Sequence, residues 1–446
     1  MKQSEKLKLW LPEGTDQLEV SKLSENFEKL DGAVADVASP FKVGDILSTL
    51  RTDLGDDWLL CNGETMNASE YPELANVLPG LETLAGQSTI DTISGLSSSN
   101  YARFYASDGV NQVLTTGSTI ASQTNYAYWS TDNFKTRKSV SVGSCRFAKP
   151  FYVNDRWIFF VFNESSSKVI LTKISVSEQP QTAPGNAGSP PNGATINDVM
   201  HVEYVGGKYY AFVRADTSRC AVLTSDSPNF SASTISYLNA ANNNAMYANF
   251  VRANGKYVFI RFGTTSFLDL SWSDSPASGY QTRTLTTENN GISVTLSSWG
   301  NTLQQPICRG EKVFWPASYY SSPNDTEILI CLGGIESGNI EYIGLISSTK
   351  RGENSNCIFD VNGKQLAFFC GSGENASLMI SGDDPLNADG WQRVFVKSAV
   401  LTYLALQFQS GNALGAFTSD GKLVTVPICA TPKISINGCY TYIKAK

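Results

Sequence analysis

Apolar residues near the N-terminus recur at alternating spacings of three and four positions. This spacing is typical of an α-helix that carries one apolar stripe, with its charged residues on the other faces. A start signal precedes the stripe, because Thr15 or Asp16 is followed by Glu19 as in a capping box. We therefore predict a helical attachment segment within residues 1–40. The stripe consists of Val20, Leu23, Phe27, Leu30, Val34, Val37 and Phe41.

The stripe needs a partner. It spans only about three heptads, and helix nucleation is costly enough that so short a helix depends on outside packing. Three interpretations stay open at this point: a parallel oligomer of this chain, docking onto a different protein, and packing back onto the chain itself.

Between residues 88 and 428 the pattern changes to the alternation of apolar and polar residues that predicts β-strands. A weak repeat recurs about every 45–50 residues, the range of propeller blades. Each copy has an apolar strand, a turn centred on Gly or Asn, and two further strands. We predict a β-propeller of about seven blades, with six or eight as alternatives. The clearest copies are residues 202–213, 250–260, 151–160 and 359–369, and fainter ones begin near Ala102, Ile307 and Leu404.

The last copy has no obvious fourth strand. A strand at residues 88–93 is predicted to complete it and to close the ring, which would bury the open sheet edges. Residues 179–197 are rich in Pro, Gly, Asn and Ala. We interpret them as a loop between blades.

A turn containing Ser or Thr and Asp follows the third strand of several copies. These turns resemble degenerate Asp-box turns of sialidase-like propellers, in which the Asp accepts hydrogen bonds from backbone donors. The resemblance implies a structural role and no catalytic one. The turns lie at Asp132, Asp226, Asp274, Asp384 and Asp420.

Residues 43–78 hold three short motifs in a fixed order: Gly44-Asp45-Ile46, then Trp58-Leu59-Leu60-Cys61-Asn62-Gly63, then Tyr71-Pro72-Glu73-Leu74. This order resembles the phage tail-collar family, in which a small β-rich module caps or carries the fibres of a virus tail. The resemblance implies a closing strand near the C-terminus and a collar core of Trp58, Cys61, Asn62, Gly63, Tyr71 and Leu74.

The collar would then be split in two by an inserted domain, which loops with neighbouring ends tolerate. The predicted organisation is a helical attachment segment (1–40), the first part of the collar (41–87), a propeller (88–428) and a closing collar strand (429–446). The expected fold class is mainly β, with a short N-terminal coiled coil.

The resemblance implies a receptor-binding protein of a phage, or of a phage-derived particle, associated with a tail fibre or baseplate. It would be a homo-trimer, attached by its helix to other tail or baseplate proteins. Its place would be the virion tail, made in the host cytoplasm and extracellular after lysis. Propeller loops would recognise a host cell-surface glycan or protein through aromatic and amide side chains. The candidates are Asn243, Tyr247, Trp299, Tyr319 and Tyr320.

Composition narrows the partners. The formal net charge of −7 argues against a nucleic-acid groove or an anionic membrane surface. The N-terminus leads into no apolar leader, and we expect neither membrane insertion nor export by a signal peptide. The nine cysteines are an odd number without a Cys-x-x-Cys pair, which favours buried thiols in a reducing compartment.

Catalytic chemistry is poorly represented in the sequence. His201 is the only histidine, and we predict a structural role for it. Asp383, Asp384, Asn387, Asp389 and Gly390 form an oxygen-rich loop without the alternating spacing of a calcium site. We therefore expect no cofactor, with a structural calcium ion as the alternative. We predict no enzyme. The alternatives are a purely structural tail component and a propeller glycosidase that uses paired carboxylates, or an arginine cluster with Tyr and Glu. The arginines at 103, 146, 156, 214, 252, 261 and 309 show no assignable pattern.

Overall fold

A computed structural model gives the fold as two compact units. The terminal unit comprises Met1–Pro79 with Cys429–Lys446, and the central unit comprises Gly80–Ile428. The structure describes all residues except 1, 4–7, 12–18, 39–40, 63–65, 67–69, 79–83, 85–87, 119–122, 167, 190–193, 217–218, 239–244, 264–266, 287, 290–291, 294–305, 322–323, 337–339, 348–356, 362, 364, 371–376, 397–403, 412, 429–433, 435 and 437–438.

The described elements are two α-helices and a long series of strands. The helices are α1 (Val20–Ala38) and α2 (Pro72–Val77). The strands are β1 (Lys2–Gln3), β2 (Trp10–Leu11), β3 (Ile46–Thr49), β4 (Trp58–Leu60), β5 (Thr89–Thr92), β6 (Asn100–Ser107), β7 (Gln112–Ser118), β8 (Thr124–Ser130), β9 (Lys138–Ser144), β10 (Phe147–Val153), β11 (Arg156–Ser165), β12 (Lys168–Ser177), β13 (Gly185–Gly188), β14 (Ile196–Val205), β15 (Lys208–Ala215), β16 (Arg219–Ser225), β17 (Thr234–Tyr237), β18 (Ala245–Ala253), β19 (Lys256–Gly263), β20 (Phe267–Ser273), β21 (Gln281–Thr286), β22 (Glu288–Asn289), β23 (Ile292–Ser293), β24 (Ile307–Arg309), β25 (Lys312–Ser321), β26 (Asn324–Leu332), β27 (Ile340–Ser347), β28 (Phe359–Val361), β29 (Gln365–Cys370), β30 (Ser377–Ile380), β31 (Gln392–Phe395), β32 (Leu404–Ser410), β33 (Ala413–Thr418), β34 (Lys422–Pro427) and β35 (Tyr440–Lys444). The prediction of a mainly β chain is confirmed.

The terminal unit has a three-stranded antiparallel sheet in which the C-terminal strand β35 lies between β3 and β4. Helix α2 begins with Pro72, which lacks the N–H that a first helical turn leaves unpaired. Its Leu74 is fully buried with Cys61 and Ile443 in a small apolar core. This core therefore joins residues from both ends of the chain.

The predicted collar core agrees with this core at Cys61, Tyr71 and Leu74, whereas Trp58 packs on Phe41 outside it. Cys61 and Leu74 are buried, and Trp58 and Tyr71 are half-buried. Asn62 is exposed, so the expectation that it is a core residue is wrong; a polar amide at the end of β4 is better solvated by water. Gly63 lies outside the described residues.

Helix α1 has a covered polar side. Asn26 pairs with the backbone of Trp10 at 2.6 and 2.8 Å, and the Trp10 indole N–H donates to Glu25 at 2.8 Å. The apolar stripe lies on the other side, where Val20 and Phe27 are 72% and 63% exposed and Leu23 and Leu30 are also exposed. The side chains of Val34 and Val37 lie outside the described part.

Phe41 does not continue the stripe. Helix α1 ends at Ala38, and the Phe41 ring packs edge-to-face against Trp58 at a centroid distance of 5.1 Å. The stripe is therefore shorter than the sequence pattern indicates, because this aromatic side chain finds an apolar partner beyond the helix.

The central unit is built from groups of four antiparallel strands, which we number 1 to 7. Groups 1 and 2 share one eight-stranded sheet and are joined by the pairing of Phe147 with Gly117. The two-residue turns Gly206-Gly207 and Asn254-Gly255 have positive φ at both positions, as tight hairpins of twisted strands require. The groups are β6–β9, β10–β13, β14–β17, β18–β21, β24–β27, β28–β31, and β32–β34 with β5.

Group 7 takes its fourth strand from the other end of the central unit. Strand β5 pairs antiparallel with β34, with Thr92 opposite Lys422 and Thr89 opposite Thr425. Ile90 on β5 packs against the core that groups 6 and 7 share. The predicted strand at residues 88–93 is thus present and has the predicted neighbour.

Consecutive groups pack face to face through buried apolar side chains. Trp129 of group 1 and Trp157 of group 2, for example, have ring centroids 4.9 Å apart. Similar clusters join groups 2 and 3, 3 and 4, 5 and 6, and 6 and 7, and a further cluster joins group 7 to group 1 through Phe408 and Phe134. Groups 4 and 5 are connected by Lys256, whose Nζ is 2.8 Å from Glu336.

One predicted loop contains a strand. Residues 185–188 within the predicted loop 179–197 form β13, which pairs with β12 and completes group 2. Gly188 permits this, because a Cβ there would lie 1.9 Å from the carbonyl oxygen of Asn229. A close backbone approach of this kind requires glycine, a residue that sequence patterns normally assign to loops.

The turns after the third strands depend on a hydroxyl more regularly than on the Asp. Ser130, Ser225 and Ser273 end third strands, and each accepts a hydrogen bond from a backbone N–H in the following turn. Thr418 does the same at the end of β33, which is the second strand of group 7 and not, as the sequence pattern predicts, a third strand. Asp132 also accepts from the Thr136 N–H, whereas Asp226 and Asp274 are 85% exposed. The recurring feature is therefore the last Ser or Thr of the strand, which satisfies an otherwise unpaired donor.

Group 4 contains a fully buried charge pair. Arg261 on β19 and Asp269 on β20 are both 0% exposed, and Arg261 Nη2 lies 3.8 Å from Asp269 Oδ2. Arg261 also donates to Ser271 at 3.2 Å, and Asp269 accepts from Thr284. Removing one member of such a pair leaves the other charge buried without a counterion.

We predict that Asp269→Ala lowers the free energy of unfolding by about 3–5 kcal/mol, the usual cost of an uncompensated buried charge. The double variant Arg261→Met/Asp269→Leu should recover most of this loss, because neither charge is then buried. Urea unfolding followed by tryptophan fluorescence measures both. Equal destabilisation of the single and double variants would show that packing, and not charge, dominates at this position.

Candidate functional site

The aromatic and amide residues predicted to bind a ligand do not form a described site. Asn243 and Trp299 lie outside the described residues. Tyr247 lies in β18 and Tyr319 and Tyr320 lie in β25, so their assignment to loops is wrong. Aromatic residues favour strands, and here the strands extend further than the turn signals indicate.

A different set of side chains converges where the first strands of groups 1, 2 and 3 lie side by side. We call this set the cationic cluster. Tyr101 and Arg103 are on β6, Arg146 directly precedes β10, Lys149 is on β10, and Asp198 is on β14. Strand β10 contacts both β6 and β14, which brings residues almost a hundred positions apart into one site.

Arg103 is held in a defined position. Its stem crosses β7 at Gly117, where a Cβ would lie 2.7 Å from the Arg103 Cδ. Its guanidinium carbon lies 4.1 Å from the centroid of the Phe147 ring, and its Nη1 donates to the Tyr101 hydroxyl at 2.8 Å. Burial lowers the pKa of Arg103 and the nearby charge of Arg146 acts in the same direction, whereas Tyr101 and the charge of Asp198 act against this shift. The group is thus a preorganised cation on an aromatic face.

The other two cations of the cluster have carboxylate partners. Lys149 Nζ lies 3.2 Å from Asp198 Oδ1, and both side chains are largely buried, at 12% and 9% exposed. Arg146 Nη1 lies 2.8 Å from Glu164 Oε1. Arg103 has no ion pair with any described residue. The cluster with Glu164 therefore contains three cations and two carboxylates.

This arrangement combines chemical groups that the sequence alone did not associate. Arg103 and Arg146 are two of the seven arginines named above, but their spacing in the sequence does not indicate that they are neighbours. They come together because β7 pairs with both β6 and β10. Asp198 and Lys149 were missed entirely. Their only signal was a charged residue inside an apolar strand, a weak indication of a buried partner.

His201 has a structural environment. Its ring stacks on Phe250 at a centroid distance of 5.0 Å and an interplanar angle of 13°, and Phe212 lies on the same side of the group 3 and 4 interface. Its Nε2 is 3.9 Å from Glu203, which also lies 3.6 Å from Arg252. Burial, together with the charge of Arg252, lowers the pKa of His201 to about 4. The imidazole is therefore neutral at pH 7.

A small surface cavity lies between groups 4 and 5. Its volume is about 260 Å³ and it is lined by Lys256, Trp272, Asp274, Gln281 and Glu336, among others. Lys256 Nζ lies 2.8 Å from a carboxylate oxygen of both Asp274 and Glu336. Because the lysine occupies the space between the two carboxylates, the cavity offers no free carboxylate pair.

The oxygen-rich loop serves its own backbone. Asp384 accepts a hydrogen bond from the Leu386 N–H at 3.0 Å, and Asn387 accepts one from the Asp389 N–H at 3.2 Å. Among the residues that the structure describes, no three His, Cys, Asp or Glu side chains are grouped as metal ligands.

The described cysteines at 61, 145, 220, 308, 331, 357 and 439 are free thiols. Within the described chain no helix has the length and apolar character needed to cross a membrane.

The comparisons with known proteins rest on structure. No protein-family model and no characterised protein matches the sequence. The chain is similar to the Nup133 β-propeller domain of Vanderwaltozyma polyspora, with a TM-score of 0.46, 9% identity, and coverage of 76% of this chain and 97% of that one. It is also similar to the β-propeller domain of the Trilobed protease from Pyrococcus furiosus, with a TM-score of 0.44, 10% identity, and coverage of 76% and 99%.

Glycoside hydrolases are also among the similar structures. For an exo-β-1,3-galactanase from Phanerochaete chrysosporium the TM-score is 0.34 and the identity 12%, with coverage of 66% of this chain and 80% of that one. An α-L-arabinofuranosidase from Clostridium thermocellum is a further example. The expectation that this chain is not an enzyme is contradicted by these neighbours, and we withdraw it. The activities are those of the named proteins.

We predict that His201 makes stability depend on pH between about 6.5 and 4. The pKa is near 6.5 in the unfolded chain and about 4 in the folded one, so the unfolded state binds more protons in this window. The free energy of unfolding should therefore be fully supported above pH 6.5 and should fall as the pH approaches 4. Urea midpoints of wild type and His201→Asn across this range measure the difference. A difference that does not vary with pH would contradict the lowered pKa.

Proposed function

We propose that the chain is a β-propeller glycosidase that acts on a surface polysaccharide, with the cationic cluster as its substrate site. The observation that carries the proposal is Arg103, held on the Phe147 ring and bonded to the Tyr101 hydroxyl, with the Asp198 carboxylate near enough to raise its pKa. Glycoside hydrolysis needs carboxylates near the scissile bond, and some enzymes use an arginine cluster with Tyr instead of a simple carboxylate pair. The cluster has both kinds of group.

The proposed propeller has seven blades, one for each four-stranded group. The support is a series of contacts from group 1 through each neighbour to group 7 and back to group 1, which are buried apolar clusters except between groups 4 and 5, where the Lys256–Glu336 ion pair makes the connection. Strand β5 closes the ring on β34. First strands are the innermost strands of propeller blades, which would place the cationic cluster at the central channel, where propeller loops and strands converge.

Each member of the cluster has a proposed role. Arg103 orients the substrate, and Phe147 and Tyr101 hold Arg103. Asp198 supplies the carboxylate that stabilises positive charge at the anomeric carbon or activates water, and Lys149 positions it through their 3.2 Å contact. Glu164, oriented by Arg146 at 2.8 Å, is the second carboxylate available to the reaction.

The test is release of reducing sugar from a panel of bacterial surface polysaccharides. We expect Asp198→Asn to lower the rate by about 10²–10⁴-fold, the usual contribution of an acid or base group. The matched control is Asp226→Asn, a carboxylate on the same group of strands that is 85% exposed. Circular dichroism and the urea midpoint confirm that each variant is folded. Absence of sugar release by wild type from every polysaccharide would refute the proposal.

A second proposal concerns where the protein acts. We propose that it belongs to a phage or phage-derived tail, where the terminal unit serves as a split tail-collar domain and the central unit recognises host cell-surface glycan or protein. The specific support is the exposed apolar stripe of α1, opposite the side covered by Trp10, together with the ordered motifs around Trp58, Cys61 and Tyr71. The stripe would join three copies of the chain or attach them to other tail or baseplate proteins.

We predict that the purified chain is a homo-trimer with three times the 48.4 kDa chain mass, because a short helix with so large an exposed apolar side needs a partner. The variant Leu23→Ser/Phe27→Ser should be monomeric. Glu28→Gln, exposed but off the stripe, should remain trimeric. Light scattering after gel filtration measures the masses. A monomeric wild type would refute self-association through the stripe.

A further inference from the structure

The cationic cluster, taken together with Glu164, has three cations and two carboxylates, so that one positive charge is in excess. We propose that the substrate is an acidic polysaccharide and that Arg103 binds the carboxylate of an acidic sugar within it. This inference rests on the proposed function, since it names the substrate class of the same site.

The ion pairs of the cluster leave one positive charge in excess. Lys149 is paired with Asp198 and Arg146 with Glu164, at 3.2 and 2.8 Å, while Arg103 forms no ion pair with a described residue and is affected by Asp198 only at a longer distance. A partly buried cation without a counterion is costly, and the burial that lowers the pKa of Arg103 reflects that cost. A bound anion would restore the balance.

The Arg103 guanidinium has N–H donors that can bind a ligand. A guanidinium has five N–H donors, and in its contacts with described residues Arg103 uses one of them, for the Tyr101 hydroxyl. Its planar fork matches the two oxygens of a carboxylate, which makes a bidentate pair stronger than an ordinary hydrogen bond. Because Phe147 covers one face of the guanidinium, a ligand reaches the donors along the edge.

An independent observation on Arg146 points the same way. Its Nε is buried and has no hydrogen-bond partner among the described residues, although its Nη1 is bonded to Glu164. The positive charges of Arg103 and Arg146 are close enough that Arg146 lowers the pKa of Arg103. An anion between the two groups would relieve their repulsion and satisfy the buried donor.

The excess of a single positive charge favours a singly charged carboxylate over a doubly charged phosphate. A nucleic acid backbone fits poorly, because the chain carries a net charge of −7 and, within the described part of the chain, Arg103 is the one cation of the cluster without an ion pair. A sulfate ester is the closest rival in charge and is included in the test.

The test is binding of the full-length protein to an array of polysaccharides that contains carboxylated, sulfated and neutral members, with each carboxylated member also present after chemical reduction of its carboxylates to hydroxyls. We expect binding to a carboxylated polysaccharide, at least about tenfold weaker binding to its reduced form, and a similar loss in Arg103→Gln, since hydrogen bonds to charged groups are among the stronger ones.

Two further variants separate charge from folding. Gly117→Ala keeps Arg103 but displaces its stem, because the new Cβ would meet the Arg103 Cδ at 2.7 Å, and it should also weaken binding. Arg156→Gln is the matched control, since Arg156 is partly exposed and is paired with Glu178, which is not a member of the cluster. It should bind like wild type, and all variants should retain the wild-type circular dichroism.

The outcomes distinguish this inference from the function on which it rests. Binding or cleavage of neutral or sulfated polysaccharides only, or full retention of carboxylate binding by Arg103→Gln, would overturn the carboxylate site and leave the glycosidase proposal intact. Absence of both binding and sugar release on the whole panel would overturn both.

Discussion

The pairing of β5 with β34 is the constraint on which the central unit depends. Group 7 has only three strands of its own, and its fourth comes from the start of the unit, more than three hundred residues earlier. Without that strand, the edge of β34 would expose unpaired backbone donors and acceptors. The pairing also buries Ile90 against the core of groups 6 and 7, so the first and last parts of the unit become one cooperative structure. Closing a loop of this length costs conformational entropy, which the buried contacts of β5 must offset.

The first strands of groups 1, 2 and 3 lie side by side and create the cationic cluster. Each first strand contributes one or two polar side chains to a place where its neighbours contribute others, and the apolar faces between the groups hold those strands in register. Gly117 illustrates how strict the fit is. It has no unusual φ, yet a side chain there would occupy the space that the Arg103 stem needs. The site is thus positioned by rigid strands, which hold side chains more accurately than loops do.

Local chemistry was readable where neighbours in sequence decide the conformation. The hairpins at Gly206-Gly207 and Asn254-Gly255, the start of α2 at Pro72 and the apolar stripe of α1 all follow from residue type and spacing. Errors arose where a distant group intervened. Phe41 packs against Trp58 and does not continue the stripe. Gly188 lies in a strand, where its lack of a side chain allows the backbone of Asn229 to approach closely. Tyr247, Tyr319 and Tyr320 are strand residues.

The sequence by itself determined the mainly β character, the spacing of the repeated strands and the position of the strand at residues 88–93 that completes group 7. Alternation and turn residues act over a few positions, which makes these features readable from the sequence. Only the tertiary structure decided which charges meet. Arg103, Lys149 and Asp198 lie on three different groups, and no local pattern links them. An ion pair or an uncompensated cation is a property of through-space distance and burial, which the linear order of residues does not contain.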